Sequence, residues 1–155
     1  NTMNKVRYFA VALLVTIIGC SCDVEHVYGA DVIIENRSTR SITLDNSVTT
    51  HVNSRLEHIN TTIAPGENYS FKRSSDVTIL DPAYYIGNRC LVKFGDDVSI
   101  VHNMQWGDDI AIEHSICEDS SFELLKQSEY TTKFSYAFTD ADYDRAVEWN
   151  ATHGE

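Results

Sequence analysis

The stretch that most restricts the fold is Tyr130-Thr131-Thr132-Lys133-Phe134-Ser135-Tyr136-Ala137-Phe138. In an extended chain Tyr130, Thr132, Phe134, Tyr136 and Phe138 fall on one face, and Thr131, Lys133, Ser135 and Ala137 on the other. A period of two gathers the aromatics on one side only if the segment is a strand, and its β-branched and aromatic residues suit a pleated surface. The stretch therefore reads as a core strand of an antiparallel sheet, with one apolar face that a second layer must cover.

The rest of the chain supplies shorter pieces of the same kind. Val32 and Ile34 alternate, Asn36-Arg37-Ser38-Thr39 interrupts, and Ile42 and Leu44 resume. That is a strand, a polar turn and a second strand. Residues 46–60 are polar and without a clear period. In Ile63-Ala64-Pro65-Gly66-Glu67, Pro65 fixes φ at the second position of a turn and Gly66 accepts a positive φ at the third, the signature of a type II turn between strands. Val77-Thr78-Ile79-Leu80 is a short β run halted by Asp81-Pro82. A faint repeat follows: Phe94-Gly95-Asp96-Asp97 and its alternating continuation recur at Trp106-Gly107-Asp108-Asp109. The spacing suits a three-stranded meander at about 89–94, 97–103 and 109–115. Ser121 to Lys126 reads as a further strand. The one helix comes last, over 140–149. Thr139 and Asp142 have capping-box spacing, and Tyr143, Ala146, Val147 and Asn150 lie at helical intervals for packing on the sheet edge. Together these predict an all-β domain, an antiparallel β-sandwich of immunoglobulin-like type with a short C-terminal helix.

The N-terminal segment speaks to location. Lys5 and Arg7 precede an apolar run from Tyr8 to Ile18, closed by Gly19 and Cys20. A basic start, a short apolar middle and a small-residue end are the parts of a secretory signal, and the apolar part is about half the ~20 residues a spanning helix needs. Ile17-Ile18-Gly19-Cys20 resembles the bacterial lipobox, which implies cleavage before Cys20 and a diacylglycerol on its thiol. The expected organisation is a signal peptide at 1–19, a lipid-anchored tether at 20–30, the sandwich at 31–150 and a frayed tail at 151–155. Acidic Asp23 and Glu25 behind Cys20 resemble an outer-leaflet export signal of Bacteroidetes lipoproteins.

With the lipobox, the DVIIENRSTRSITL hairpin, the IAPGENYSF turn, the CLVKFGDD strand and the ending YTTKFSYAFTDADYDRAVE, the chain resembles small Bacteroidetes-type envelope lipoproteins of unknown function. The resemblance implies a lipid-anchored, immunoglobulin-like sandwich at the outer membrane or cell surface. It carries no catalytic residues.

Charge narrows the partners. Loss of Lys5 and Arg7 with the leader leaves 10 basic residues against 23 acidic ones. Such a surface repels phosphate backbones and excludes nucleic acid as a natural partner. The membrane is reached through lipid, and the remaining candidates are a glycan or another envelope protein.

Each chemical motif has a plainer structural use. Asp140-Ala141-Asp142-Tyr143-Asp144 has the spacing that opens an EF-hand loop, but Arg145 stands where Gly is needed and Ala151 where Glu is needed. A capped helix start accounts for the three aspartates. Asp96-Asp97 and Asp108-Asp109 sit in turns at opposite ends of a meander. His102, His114 and Cys117 lack the visible spacing of a zinc site or an activated thiol. No cofactor or metal is called for. With Cys20 lipidated, Cys90 and Cys117 form the candidate disulfide, although the outer strands of a flat meander lie about 10 Å apart, beyond disulfide reach. The favoured function is a non-catalytic binding or structural module, with exposed aromatics Trp106, Tyr84 and Tyr85 as its surface. The rival is a small metal-dependent or hydrolytic envelope enzyme whose site converges only in the fold.

Overall fold

A computed structural model describes residues 27–75, 81–106 and 112–154. Among them are eight strands: β1 (Tyr28–Asn36), β2 (Ile42–Asp45), β3 (Asn60–Ile63), β4 (Asn68–Ser75), β5 (Arg89–Phe94), β6 (Val98–Asn103), β7 (Glu123–Gln127) and β8 (Thr131–Phe138). A single helical turn, α1 (Ala83–Ile86), precedes β5, and a longer helix, α2 (Asp140–His153), closes the chain. The strands form two four-stranded sheets, ordered β4-β1-β8-β7 and β3-β2-β5-β6. They are stacked as a β-sandwich. Phe94 of one sheet meets Phe138 of the other edge-on, ring centres 6.1 Å apart.

The alternation in β8 holds for Thr132, Phe134, Tyr136 and Phe138, which are buried, but Tyr130, just before the strand, is 38% exposed, and Ser135, expected on the other face, is buried as well. Inward side chains of β1, β2 and β5 (Val32, Ile34, Ile42, Leu44, Val92, Phe94) complete the core. One expectation for β8 is corrected. It runs antiparallel to β7 but parallel to β1, with Val32 opposite Phe134 and Ile34 opposite Tyr136. A parallel pair needs a long connection, and here most of the domain lies between the two strands.

The segment expected as a hairpin at 31–45 is also different, because β1 and β2 belong to opposite sheets. Asn36 explains the crossing. Its buried amide donates to the carbonyls of Arg40 and Ile63, and its Oδ1 accepts from the Ser38 amide and hydroxyl. The side chain thus satisfies the backbone of a corner that no ladder serves. The Pro65-Gly66 turn docks on it: Asn36 N–H donates to Glu67 O, and Gly66 N–H donates to Asn36 O. Gly66 has φ +78°, as a type II turn demands, and the turn leads from β3 in one sheet to β4 in the other.

Of the expected meander, β5 and β6 form the hairpin, with Arg89 opposite Asn103 and Phe94 opposite Val98. The third strand is not formed where it can be described. Residues 107–111 lie outside the described residues, as does the β run at 77–80, and 112–118 make a loop with His114 at φ +59°. That loop is pinned by other bonds: the Ser115 hydroxyl donates to Asn103 O, and the Ile116 amide to Nδ1 of buried His102.

Helix α2 starts as predicted, with a two-way capping box between Thr139 and Asp142. Ala146 is buried and Tyr143 packs on Phe94, but Val147 points outward and the helix runs on to His153 rather than fraying after 150. At the other end, β1 already begins at Tyr28, inside the expected tether. Among the described residues no helix is long and apolar enough to cross a membrane.

Candidate functional site

The hairpin register brings together residues far apart in sequence. Arg89 and Asn103 face each other at the open end of β5–β6, where the chain enters from Asn88 and leaves through Met104. The Met104 amide donates to Asn88 O at 2.9 Å and closes the pair. Against this end lies the segment Thr49–His51. Oδ1 of Asn88 accepts from the amides of both Thr50 and His51 at 3.1 Å, and its Nδ2 donates to the Thr50 hydroxyl at 2.9 Å. The Thr49 hydroxyl donates to Arg89 O. The approach is close enough to need Gly87, at φ +101°, where an added Cβ would meet the Thr49 hydroxyl at 2.4 Å.

Over this junction stands Trp106. Its ring centre is 4.9 Å from that of His51, tilted by 46°, and the side chain is 53% exposed. The preceding amide, Gln105 N–H, is held by the Glu118 carboxylate. The result is a cleft of about 390 Å³ lined by Thr50, His51, Asn88, Arg89, Asn103, Met104 and Trp106. Its size is that of a small-ligand site, and it combines one aromatic face with several polar groups. Asn103 Oδ1 is buried and has no hydrogen-bond partner among the described residues.

The other expected surface divides. Tyr84 is 41% exposed, whereas Tyr85 is buried in the core against Phe71. Adjacent residues of one helical turn cannot both face solvent here, and Tyr85 is corrected to a core residue. Neither lines the cleft with Trp106.

Cys90 and Cys117 are both free, buried thiols. Because 112–118 folds back as a loop, Cys117 reaches the β5–β6 hairpin after all: its Sγ donates to the carbonyl of His102, the residue opposite Cys90. Each thiol is turned to a backbone carbonyl instead of to the other, Cys90 to that of Leu91. Burial pushes Cys90 up to about 12 and Cys117 higher still, so neither is a ready nucleophile. Cys20 lies outside the described residues, as do Asp108 and Asp109, while Asp96 and Asp97 occupy the exposed β5–β6 turn.

His102 and His114 separate in role. Burial pushes His102 down to about 4, and its neutral Nδ1 accepts the Ile116 amide. His114 stacks on Tyr136 with ring centres 4.6 Å apart and meets Asp142. The three aspartates of the calcium-like motif do not converge. Asp140 accepts from Thr39, Asp142 serves the helix cap, and Asp144 is exposed. Among the described residues no group of three or more His, Cys, Asp or Glu is arranged to hold a metal ion.

Trp106 was therefore legible in the sequence as an exposed loop aromatic, while His51, Asn88, Arg89 and Asn103 were not. The signal that could have found two of them is the Gly95-Asp96 turn, since it sets the register that places Arg89 opposite Asn103. Set beside known proteins, the chain matches no family model and no curated protein.

Proposed function

We propose that this protein is a lipid-anchored envelope lipoprotein whose immunoglobulin-like sandwich is a non-catalytic binding module, and that its ligand is a glycan held at the Trp106 cleft. The observation that carries the reading is the half-exposed Trp106 indole, braced by His51 over a concave site of ligand size. A large exposed aromatic face beside hydrogen-bonding side chains suits a sugar ring, which is apolar on its faces and polar at its rim. Support for the anchor comes from the apolar run ending in Gly19-Cys20 and from the acidic remainder of the chain. Support for the immunoglobulin-like arrangement comes from two four-stranded sheets with repeated crossings between them.

The test is a glycan array probed with the wild-type chain and with Trp106→Ala. Binding of one saccharide class that the variant loses supports the reading. Retention of an envelope protein in a pull-down, with no saccharide bound, replaces the glycan by a protein partner.

A further inference from the structure

We infer that the saccharide this cleft takes is an acidic one, a sugar bearing a ring carboxylate, and that Arg89 receives the charge. The inference rests on the reading of the cleft as a sugar site and names its ligand class.

The chain has 23 acidic residues against 12 basic ones, yet among the described residues the cleft lining contains no carboxylate and one guanidinium. Arg37, Arg40, Lys72, Arg73 and Arg145 each stand within ion-pair distance of a carboxylate. Arg89, exposed at the start of β5, has no such pair among the described residues, nor do Lys93, Lys126 and Lys133, and of these four Arg89 alone lines the cleft. A guanidinium presents a fixed fork of N–H donors that matches a carboxylate in two-point contact.

The other groups ask for a sugar rather than a simple acid. Trp106 offers a ring face, which a small carboxylate cannot cover. Among the described residues Asn103 Oδ1 lacks a donor, and a side-chain rotation onto a ligand hydroxyl would relieve the cost of leaving a buried acceptor unpaired. Asn88 is already committed to Thr50 and His51, so that wall of the cleft is held before a ligand arrives. A uronic acid unit supplies the ring face, the hydroxyl donor and the carboxylate together.

The experiment titrates oligomers of galacturonate, glucuronate and mannuronate, each as free acid and as neutral methyl ester, into the full chain in a zwitterionic detergent. At about 0.15 M salt at least one acid is expected to bind about tenfold more tightly than its ester, the margin of a charge-assisted over a neutral hydrogen bond. Arg89→Gln should bring the two to parity with an unchanged melting temperature, since the residue is exposed. An ester that binds as well as its acid, in a manner Trp106→Ala abolishes, overturns the acidic specificity and leaves the sugar site standing. Persistence of the acid preference in Arg89→Gln overturns the role of Arg89. Absence of binding by every acid and ester, with neutral glycans still retained on the array, overturns the acidic class alone. Absence on both overturns the sugar site as well.

Discussion

Nδ1 of His114 lies 2.8 Å from Oδ1 of Asp142, and this contact ties the loop after β6 to the first turn of α2. Asp142 is almost fully buried, so its charge depends on the partners around it. Thr139 gives Oδ2 its amide at 2.7 Å and its hydroxyl at 3.0 Å, and Arg145 approaches Oδ1. The Tyr136 hydroxyl donates to His114 O and holds the left-handed backbone at that residue. One carboxylate thus joins β8, the loop and the helix.

Removing that carboxylate should be costly. Asp142→Ala strips the cap and leaves the part-exposed His114 and Arg145 without their shared partner, and about 1.5–3 kcal/mol is expected for losing hydrogen bonds to a charged group. Thr139→Ala, which removes only part of the cap, should cost about 1 kcal/mol. Urea midpoints of the two variants check the order. Equal midpoints would show that the helix is held by its apolar side alone.

Acid should weaken the fold in two stages. Burial lowers His102 from its ordinary 6.5 to about 4, so the unfolded chain binds a proton there that the folded chain refuses. That contribution, on the order of 3 kcal/mol, is complete above pH 6.5 and is lost as pH falls toward 4. Burial of Asp142 pushes its carboxyl up, but hydrogen bonds from His114, Thr139 and Arg145 outweigh that and hold it at about 2. Its contribution, about 2 kcal/mol, is complete above pH 4 and is lost as pH falls toward 2. Urea unfolding from pH 7 to 2 should show both declines, and His102→Asn should flatten the first. A flat profile in the wild type contradicts the burial of a neutral imidazole.

The core prediction contrasts two residues paired across β7 and β8. Phe134 is buried and Leu124, opposite it, is exposed. Phe134→Ala should cost about 3–5 kcal/mol. Leu124→Ala should stay within about 0.5 kcal/mol. Thermal melts of both variants check the pair, and similar losses would show that the edge strand β7 is covered like β8.

What was legible in the sequence was local, and what was not was pairing. Alternation in β8, the Pro65-Gly66 turn and the Thr139–Asp142 capping box depend on neighbouring residues, so each could be read without the fold. The crossing at Asn36 could not, because the same polar run serves a hairpin or a corner until its amide finds Ile63 O, 27 positions away. The parallel partnership of β1 and β8 joins segments about a hundred residues apart and leaves no local mark. The cleft followed the same rule. Trp106 stands out by type, whereas His51 comes from a segment without a period and gains its place through the Asn88 side chain.

The anchor has a chemical test of its own. A clickable palmitate analogue fed to expressing cells should label the wild-type chain, and Cys20→Ala should abolish the label and leave unprocessed precursor. Lipoproteins carry more than one acyl chain, and with about 0.8 kcal/mol per buried methylene the attachment should survive a salt wash. Undiminished label in the variant would move the lipid elsewhere or remove it from the account.

The central claim is that a saccharide sits on Trp106. Calorimetric titration of the strongest array ligand into the wild-type chain and into Trp106→Ala measures it most directly. The account predicts at least about a thirtyfold loss of affinity, the scale of an aromatic hot spot, with the melting temperature unchanged. Equal affinity in the two proteins would contradict it.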